Sequence, residues 1–126
     1  MSRRTRVLIA DDHRLFAEAL EAILATEPQI EVVGRAYTGE DAVEQGLSLK
    51  PDVILMDIAM PVLDGVEATK QIRAKRRDAC VVILTGSNAR ADVARSREAG
   101  AAAYVTKDRI ASHLIRTILE LAPAAE

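Results

Sequence analysis

Tryptophan is missing from this chain of 126 residues, and cysteine and phenylalanine occur once each. The lack of tryptophan removes the usual intrinsic fluorescence probe. A lone cysteine, Cys80, excludes an internal disulfide and fits a reducing compartment. It opens the apolar run CVVILT, where a small buried thiol is the simplest reading. No apolar run approaches the ~20 residues needed to cross a bilayer. VLIA, after the basic start, is too short for a signal-peptide core. Charge of one sign is also lacking: 17 basic against 19 acidic residues leave a net −2. Nothing therefore marks the whole chain for nucleic acid or an anionic membrane. The runs Ser2–Arg6 and Lys75–Arg77 are local and read as solvated surface. A soluble, cytoplasmic protein is the expectation.

The chain does contain five short apolar runs rich in β-branched residues: Val7–Ala10, Ile30–Val33, Val53–Met56, Val81–Leu84 and Ala103–Val105. Their continuous rather than alternating hydrophobicity predicts strands covered on both faces, as in a parallel sheet. Helical spacing fills the gaps. Leu15, Phe16, Ala19, Leu20, Ile23 and Leu24 form one stripe, and Glu27-Pro28 closes it. Asp41–Leu49 is a weaker helix before Lys50-Pro51, and Val66, Thr69 and Ile72 mark a third. Leu114, Ile115, Ile118, Leu119 and Ala122 mark the last, before Pro123. Ala89–Ala99 holds one large apolar residue, Val93, and is expected to be the most weakly attached helix. Strand alternating with helix five times reads as a doubly wound α/β domain spanning 1–126, with a folded core of about 6–122. Residues 123–126 read as a tail or the start of a linker to something absent here.

The polar residues at the strand ends carry the chemistry. Asp11 and Asp12 follow the first strand, Asp57 the third, Thr85 the fourth and Lys107 the fifth. In an open parallel sheet all C-terminal strand ends share one edge, where ligands bind at the reversal of strand order. Two unit charges a few Å apart repel by about 4 kcal/mol at an effective dielectric near 20. Three converging carboxylates therefore call for a cation, and a hard divalent ion such as Mg²⁺, with Mn²⁺ as a substitute, suits a half-open oxygen site. With Mg²⁺ and Lys107 the formal charges balance. Asp57 is then a nucleophile able to form an acyl phosphate, with Thr85 donating a hydrogen bond and Gly86 presenting no side chain to the incoming group. An isolated aspartate at a strand end more commonly caps the next helix. The five residues together carry the functional reading.

The stretches VLIADDH (Val7–His13), DVILMDIAMPVLDGVE (Asp52–Glu67), VVILTG (Val81–Gly86) and EAGAAAYVTKD (Glu98–Asp108) resemble the receiver domain of two-component response regulators. The opening DDHRLF and the pair Lys107-Asp108 are most similar to the NarL/FixJ group, whose receivers precede a LuxR-type helix-turn-helix. The resemblance implies a flavodoxin-like (βα)5 fold with strand order 2-1-3-4-5. It implies Asp57 as phosphoacceptor, fed by a sensor histidine kinase, and Mg²⁺ held by Asp11, Asp12, Asp57 and the Ala59 backbone carbonyl. It also implies Thr85 and Tyr104 as switch residues, Lys107 paired with a phosphoryl oxygen, and a partner-binding face formed by the fourth helix, last strand and last helix. A phosphorylation-dependent homodimer, and DNA binding only through an absent C-terminal domain, follow from it as well. No enzymatic activity beyond self-catalysed phosphorylation and dephosphorylation is expected.

Ala103 stands where the family commonly has glycine, and Ala59 where it varies widely. His13 reads as an exposed helix-start residue, His113 has no evident partner, and Asp64-Gly65 reads as a turn. A haloacid-dehalogenase-like hydrolase would need an acid at Ala59. A nucleotide or flavin module would need donors where Asp11 and Asp12 stand. A pseudo-receiver, an interaction module indifferent to phosphate, is the remaining alternative.

Overall fold

A computed structural model of the chain describes residues 4–86 and 90–122. Five strands, β1 (Thr5–Ala10), β2 (Ile30–Ala36), β3 (Val53–Asp57), β4 (Val81–Thr85) and β5 (Ala103–Thr106), form one parallel sheet in the order β2-β1-β3-β4-β5. Between and after them lie α1 (Arg14–Leu24), α2 (Gly39–Ser48), α3 (Gly65–Lys75), α4 (Arg90–Glu98) and α5 (Ile115–Leu121). This is the (βα)5 flavodoxin-like arrangement expected. Alternate residues of each strand enter different cores. Val7, Ile9, Val53, Leu55, Val82 and Leu84 pack with Leu20 and Leu24 of α1, Ile118 of α5 and Leu114 just before α5. Leu8, Ile54, Met56, Val81 and Ile83 pack on the other face with Ala42, Ala68 and Ile72 of α2 and α3. Two-sided burial is why β1, β3 and β4 read as unbroken apolar runs, while the edge strands β2 and β5 are only partly covered.

Several elements differ from their sequence outlines. β2 runs on past Val33 to Ala36, because a bulge shifts its pairing with β1 between Val7 and Leu8. In α1, Leu15 is 73% exposed and Ala19 is exposed, so the buried stripe is Ala17, Leu20 and Leu24 with Phe16 and Ile23 at its margin. The last helix is not uniform. Lys107–Arg109 form a 3₁₀ turn and Ile110–Leu114 a π turn before α5 begins. Ile110, Leu114 and Ile118 are all buried at four-residue spacing. Each such step overshoots an α turn by about 40°, and the wider π turn swings back the other way.

As its composition predicts, α4 contributes nothing to either hydrophobic cluster, and Ser96 is its one buried residue. Ala89, its expected start, and the 123–126 tail lie outside the described residues, as do Ser2 and Arg3. A Schellman motif closes α4: Gly100 N–H donates to Arg97 O and Ala101 N–H to Ser96 O, both 3.0 Å. Gly100 has φ +96, and a Cβ there would collide with the Arg73 guanidinium. No helix among the described residues is long and apolar enough to cross a membrane.

Candidate functional site

The order β2-β1-β3 means that the chain leaves β1 in one direction and returns to its other side, opening a crevice at the C-terminal ends of β1 and β3. Asp11 and Asp57 are buried there and Asp12 is exposed at the rim. One carboxylate oxygen from each of the three lies within 4.8 Å of the others. Local folding explains each position. The Asp11 N–H donates to Ala36 O (2.9 Å), and its Oδ1 accepts from the His13 N–H (2.8 Å), an Asx turn that starts α1. His13 itself is exposed, as expected.

Beyond Asp57 the chain turns sharply. Ile58 N–H donates to Leu84 O (3.3 Å), and Ile58 O accepts from Met60 N–H and Gly65 N–H, both 2.9 Å. Leu63 N–H donates to Pro61 O (2.7 Å) across Val62, whose φ of 67 and 96% exposure mark a residue forced into the left-handed region by this compact loop. A Cβ at Gly65 would strike the Asp57 carbonyl, so glycine lets α3 start directly against the end of β3. Exposed Ala59 lies in this loop beside the acids.

From β4 comes buried Thr85 and from β5 half-buried Tyr104, whose hydroxyls share a hydrogen bond. Burial, followed in size by that bond acting in the opposite sense, leaves the Tyr104 phenol above its ordinary range. Gly86 is exposed, and a Cβ there would point into open space, so packing alone does not require glycine.

Lys107, first after β5, sends Nζ to within 3.3 Å of Asp11 Oδ2 and 3.5 Å of Asp57 Oδ1. Burial, then the negative charge of Asp11, pushes the Asp57 carboxyl from its ordinary 3.8 to about 6, and Lys107 only partly opposes this. Three acids and one lysine leave excess negative charge, as their spacing in sequence predicts. Clustered carboxylate oxygens, one of them at the rim, fit a hard divalent cation that keeps part of its water shell.

Four contacts escaped the sequence reading. Phe16, assigned to a core stripe, places its ring 4.2 Å from Lys107 Nζ. Asp64, read as a turn residue, caps α3 by accepting the Glu67 N–H (2.9 Å) and also pairs with Arg95 of α4 (2.9 Å). Burial alone would raise the Asp64 carboxyl, but the Glu67 N–H and Arg95 together hold it below its ordinary range. The Asp-x-x-Glu spacing signals the cap, whereas nothing local signals Arg95. His113 has a partner after all, Ser112 Oγ at 2.6 Å. Cys80 is half-buried in a position where desolvation raises its thiol against the pull of Arg73, in keeping with an inert packing role.

Known proteins share both sequence and fold with this chain. The response regulator receiver domain family matches residues 7–119. Transcriptional regulatory protein DegU of Brevibacillus brevis is 40% identical over 115 residues, covering 91% of this chain and 49% of DegU. Transcriptional regulatory protein LiaR of Bacillus subtilis (strain 168) is 41% identical over 113 residues, covering 90% and 54% respectively. The chain thus spans about half the length of these relatives. The signal receiver domain of the putative response regulator NarL from Mycobacterium tuberculosis superposes with a TM-score of 0.89 at 30% identity, covering 94% of this chain and 95% of that one. Sheet order, acidic crevice and family match agree: the chain belongs to the response regulator receiver domain family.

Proposed function

We propose that this receiver is a phosphoacceptor switch in which Asp57 takes a phosphoryl group from a phosphohistidine of a sensor kinase. One observation carries the reading: Asp57 shares its crevice with Asp11 and Asp12 while Lys107 Nζ lies 3.5 Å from its carboxylate. An Asp57 Oδ attacks phosphorus, the P–N bond to the donor imidazole breaks, and the nitrogen keeps the bonding pair and takes up a proton. The Lys107 ammonium is set to take up charge on the phosphoryl oxygens, and Thr85 to donate its hydroxyl proton to one of them. Asp11, Asp12 and Asp57, with the Ala59 carbonyl, would hold Mg²⁺, or Mn²⁺ in its place. Bound there, the ion supplies positive charge that offsets the crowded anions.

The Thr85 hydroxyl touches Tyr104 and faces the crevice, so its movement toward a phosphoryl group would couple the crevice to β5. Tyr104 and Lys107 also line an open groove of about 850 Å³ with Val93 of α4 and with His113 and Thr117 beyond β5. This α4–β5–α5 face is the proposed output surface, joined to the site by residues common to both. The names of the relatives support transcription control as the output, exerted by a DNA-binding segment of the parent protein. A phosphorylation-dependent homodimer belongs to the same proposal.

The test is intact-mass analysis after incubation with acetyl phosphate, with and without Mg²⁺, on wild type and Asp57→Asn. The expected result is a gain of one phosphoryl group that requires both Mg²⁺ and Asp57. A folded wild type that gains nothing would overturn the proposal in favour of the phosphate-independent interaction module.

A further inference from the structure

We infer that Phe16 is a positioning residue for Lys107, its ring face holding the ammonium in line with the acceptor carboxylate. The inference rests on the phosphoacceptor reading above. Phe16 is the single phenylalanine of the chain and lies only half-buried in α1. Its ring centroid stands 4.2 Å from Lys107 Nζ, within the range of a cation–π contact. The same ammonium lies 3.3 Å from Asp11 and 3.5 Å from Asp57, and the Lys107 side chain is 27% exposed. Two carboxylates and one aromatic face therefore define where the charge sits.

The choice of a ring over a third acid has a physical consequence. A carboxylate would neutralise the ammonium and compete with phosphoryl oxygens for it. An aromatic quadrupole attracts the cation but adds no net charge, so the ammonium stays available to an incoming anion. Lysine has a long flexible stem that loses much rotamer freedom when fixed. Asp11 is also a proposed metal ligand, so its hold on Lys107 weakens whenever a cation draws on the same oxygens. The ring keeps its grip in either condition. An aliphatic side chain would fill the same space without this electrostatic hold.

Two measurements test the inference, and a small-molecule donor keeps kinase docking out of both. The first is the rate of phosphorylation by acetyl phosphate at saturating Mg²⁺, followed by intact mass. Phe16→Leu should slow it about threefold to tenfold, the ratio a partly desolvated cation–π contact carries. Phe16→Tyr, which retains the ring, should stay within about twofold of wild type. The second is the NMR shift of the Lys107 Hε protons, which the ring should move upfield of those of Lys50, Lys70 and Lys75. That displacement should vanish in Phe16→Leu and persist in Phe16→Tyr. An undisplaced Lys107 in wild type, or a Phe16→Leu rate equal to wild type, overturns the inference. A wild type with the displaced shift but no phosphorylation would instead sink the phosphoacceptor reading and leave the contact standing. If Phe16→Leu fails to fold, the wild-type shift and the Phe16→Tyr rate still decide.

Discussion

Asp57 is 5% exposed and faces Asp11, so ionising it in the folded chain is costly. Below pH 3.8 its carboxyl is protonated in folded and unfolded chains alike; between 3.8 and about 6 only the unfolded chain loses the proton. Folding stability from this group therefore falls as pH rises through that window and is fully lost above about pH 6. The interval corresponds to on the order of 3 kcal/mol. Asp64 has the opposite sign: its lowered carboxyl contributes stability above the ordinary aspartate range, which is lost as pH falls. Comparing wild type with Asp57→Asn isolates the first effect. In EDTA the mutant should melt progressively higher than wild type between pH 4.5 and 7, as read by thermal denaturation. Adding Mg²⁺ at pH 7 should close that gap by raising the wild-type Tm, since a ligand that binds only the folded state stabilises it. A gap that stays constant with pH would mean that Asp57 carries no such burden.

At the scale of elements, α4 stands apart. Arg95 ties it to Asp64 at 2.9 Å, while Ser96 Oγ donating to Asp92 O at 2.8 Å and the Gly100 cap are bonds of the helix to itself. Such exposed ion pairs stabilise by only ~0.2–1 kcal/mol. Native-state hydrogen exchange should show α4 amides opening well before those of β1, β3 and β4, whose residues are almost fully buried. Exchange from α4 as slow as from β3 would contradict this. The thinness of α4 was legible in ARADVARSREA because burial needs apolar area, and the sequence displays how little there is. The α5 region was less legible. Its stripe from Leu114 to Ala122 matches α5, but the 3₁₀ turn and π turn that lead into it, Lys107–Leu114, lie ahead of that stripe and were not read from the sequence. Leu15 misled: periodicity finds a face but not how far that face reaches over the sheet.

Across the whole molecule, what could be read from residue order is what the sheet topology brings together. Parallel strands align their C-terminal ends, so Asp11, Asp12, Asp57, Thr85 and Lys107 converge wherever the loops run. The orientation of a side chain on a helix shoulder is a different matter. Phe16 is apolar and in phase with the core, and only the tertiary fold brings its ring to Lys107, which follows β5. The Asp64–Arg95 pair likewise joins residues on α3 and α4 that no local pattern relates.

The three aromatic rings of this chain have a consequence for how its unfolding will look. Tyr37 lies just past β2 with the Arg14 guanidinium 3.9 Å from its ring centroid, Phe16 faces Lys107, and Tyr104 is tied to Thr85. All of them gather toward the functional edge, at the margins of two cores whose buried residues include no aromatic ring. Near-ultraviolet circular dichroism therefore weights that edge and the core margins beside it, while the far-ultraviolet signal averages over the helices and sheet. If the edge loosens before the cores, the two signals will give different midpoints, a departure from two-state coincidence. We expect the near-ultraviolet midpoint in urea to fall below the far-ultraviolet one in EDTA, and Mg²⁺ to bring them together.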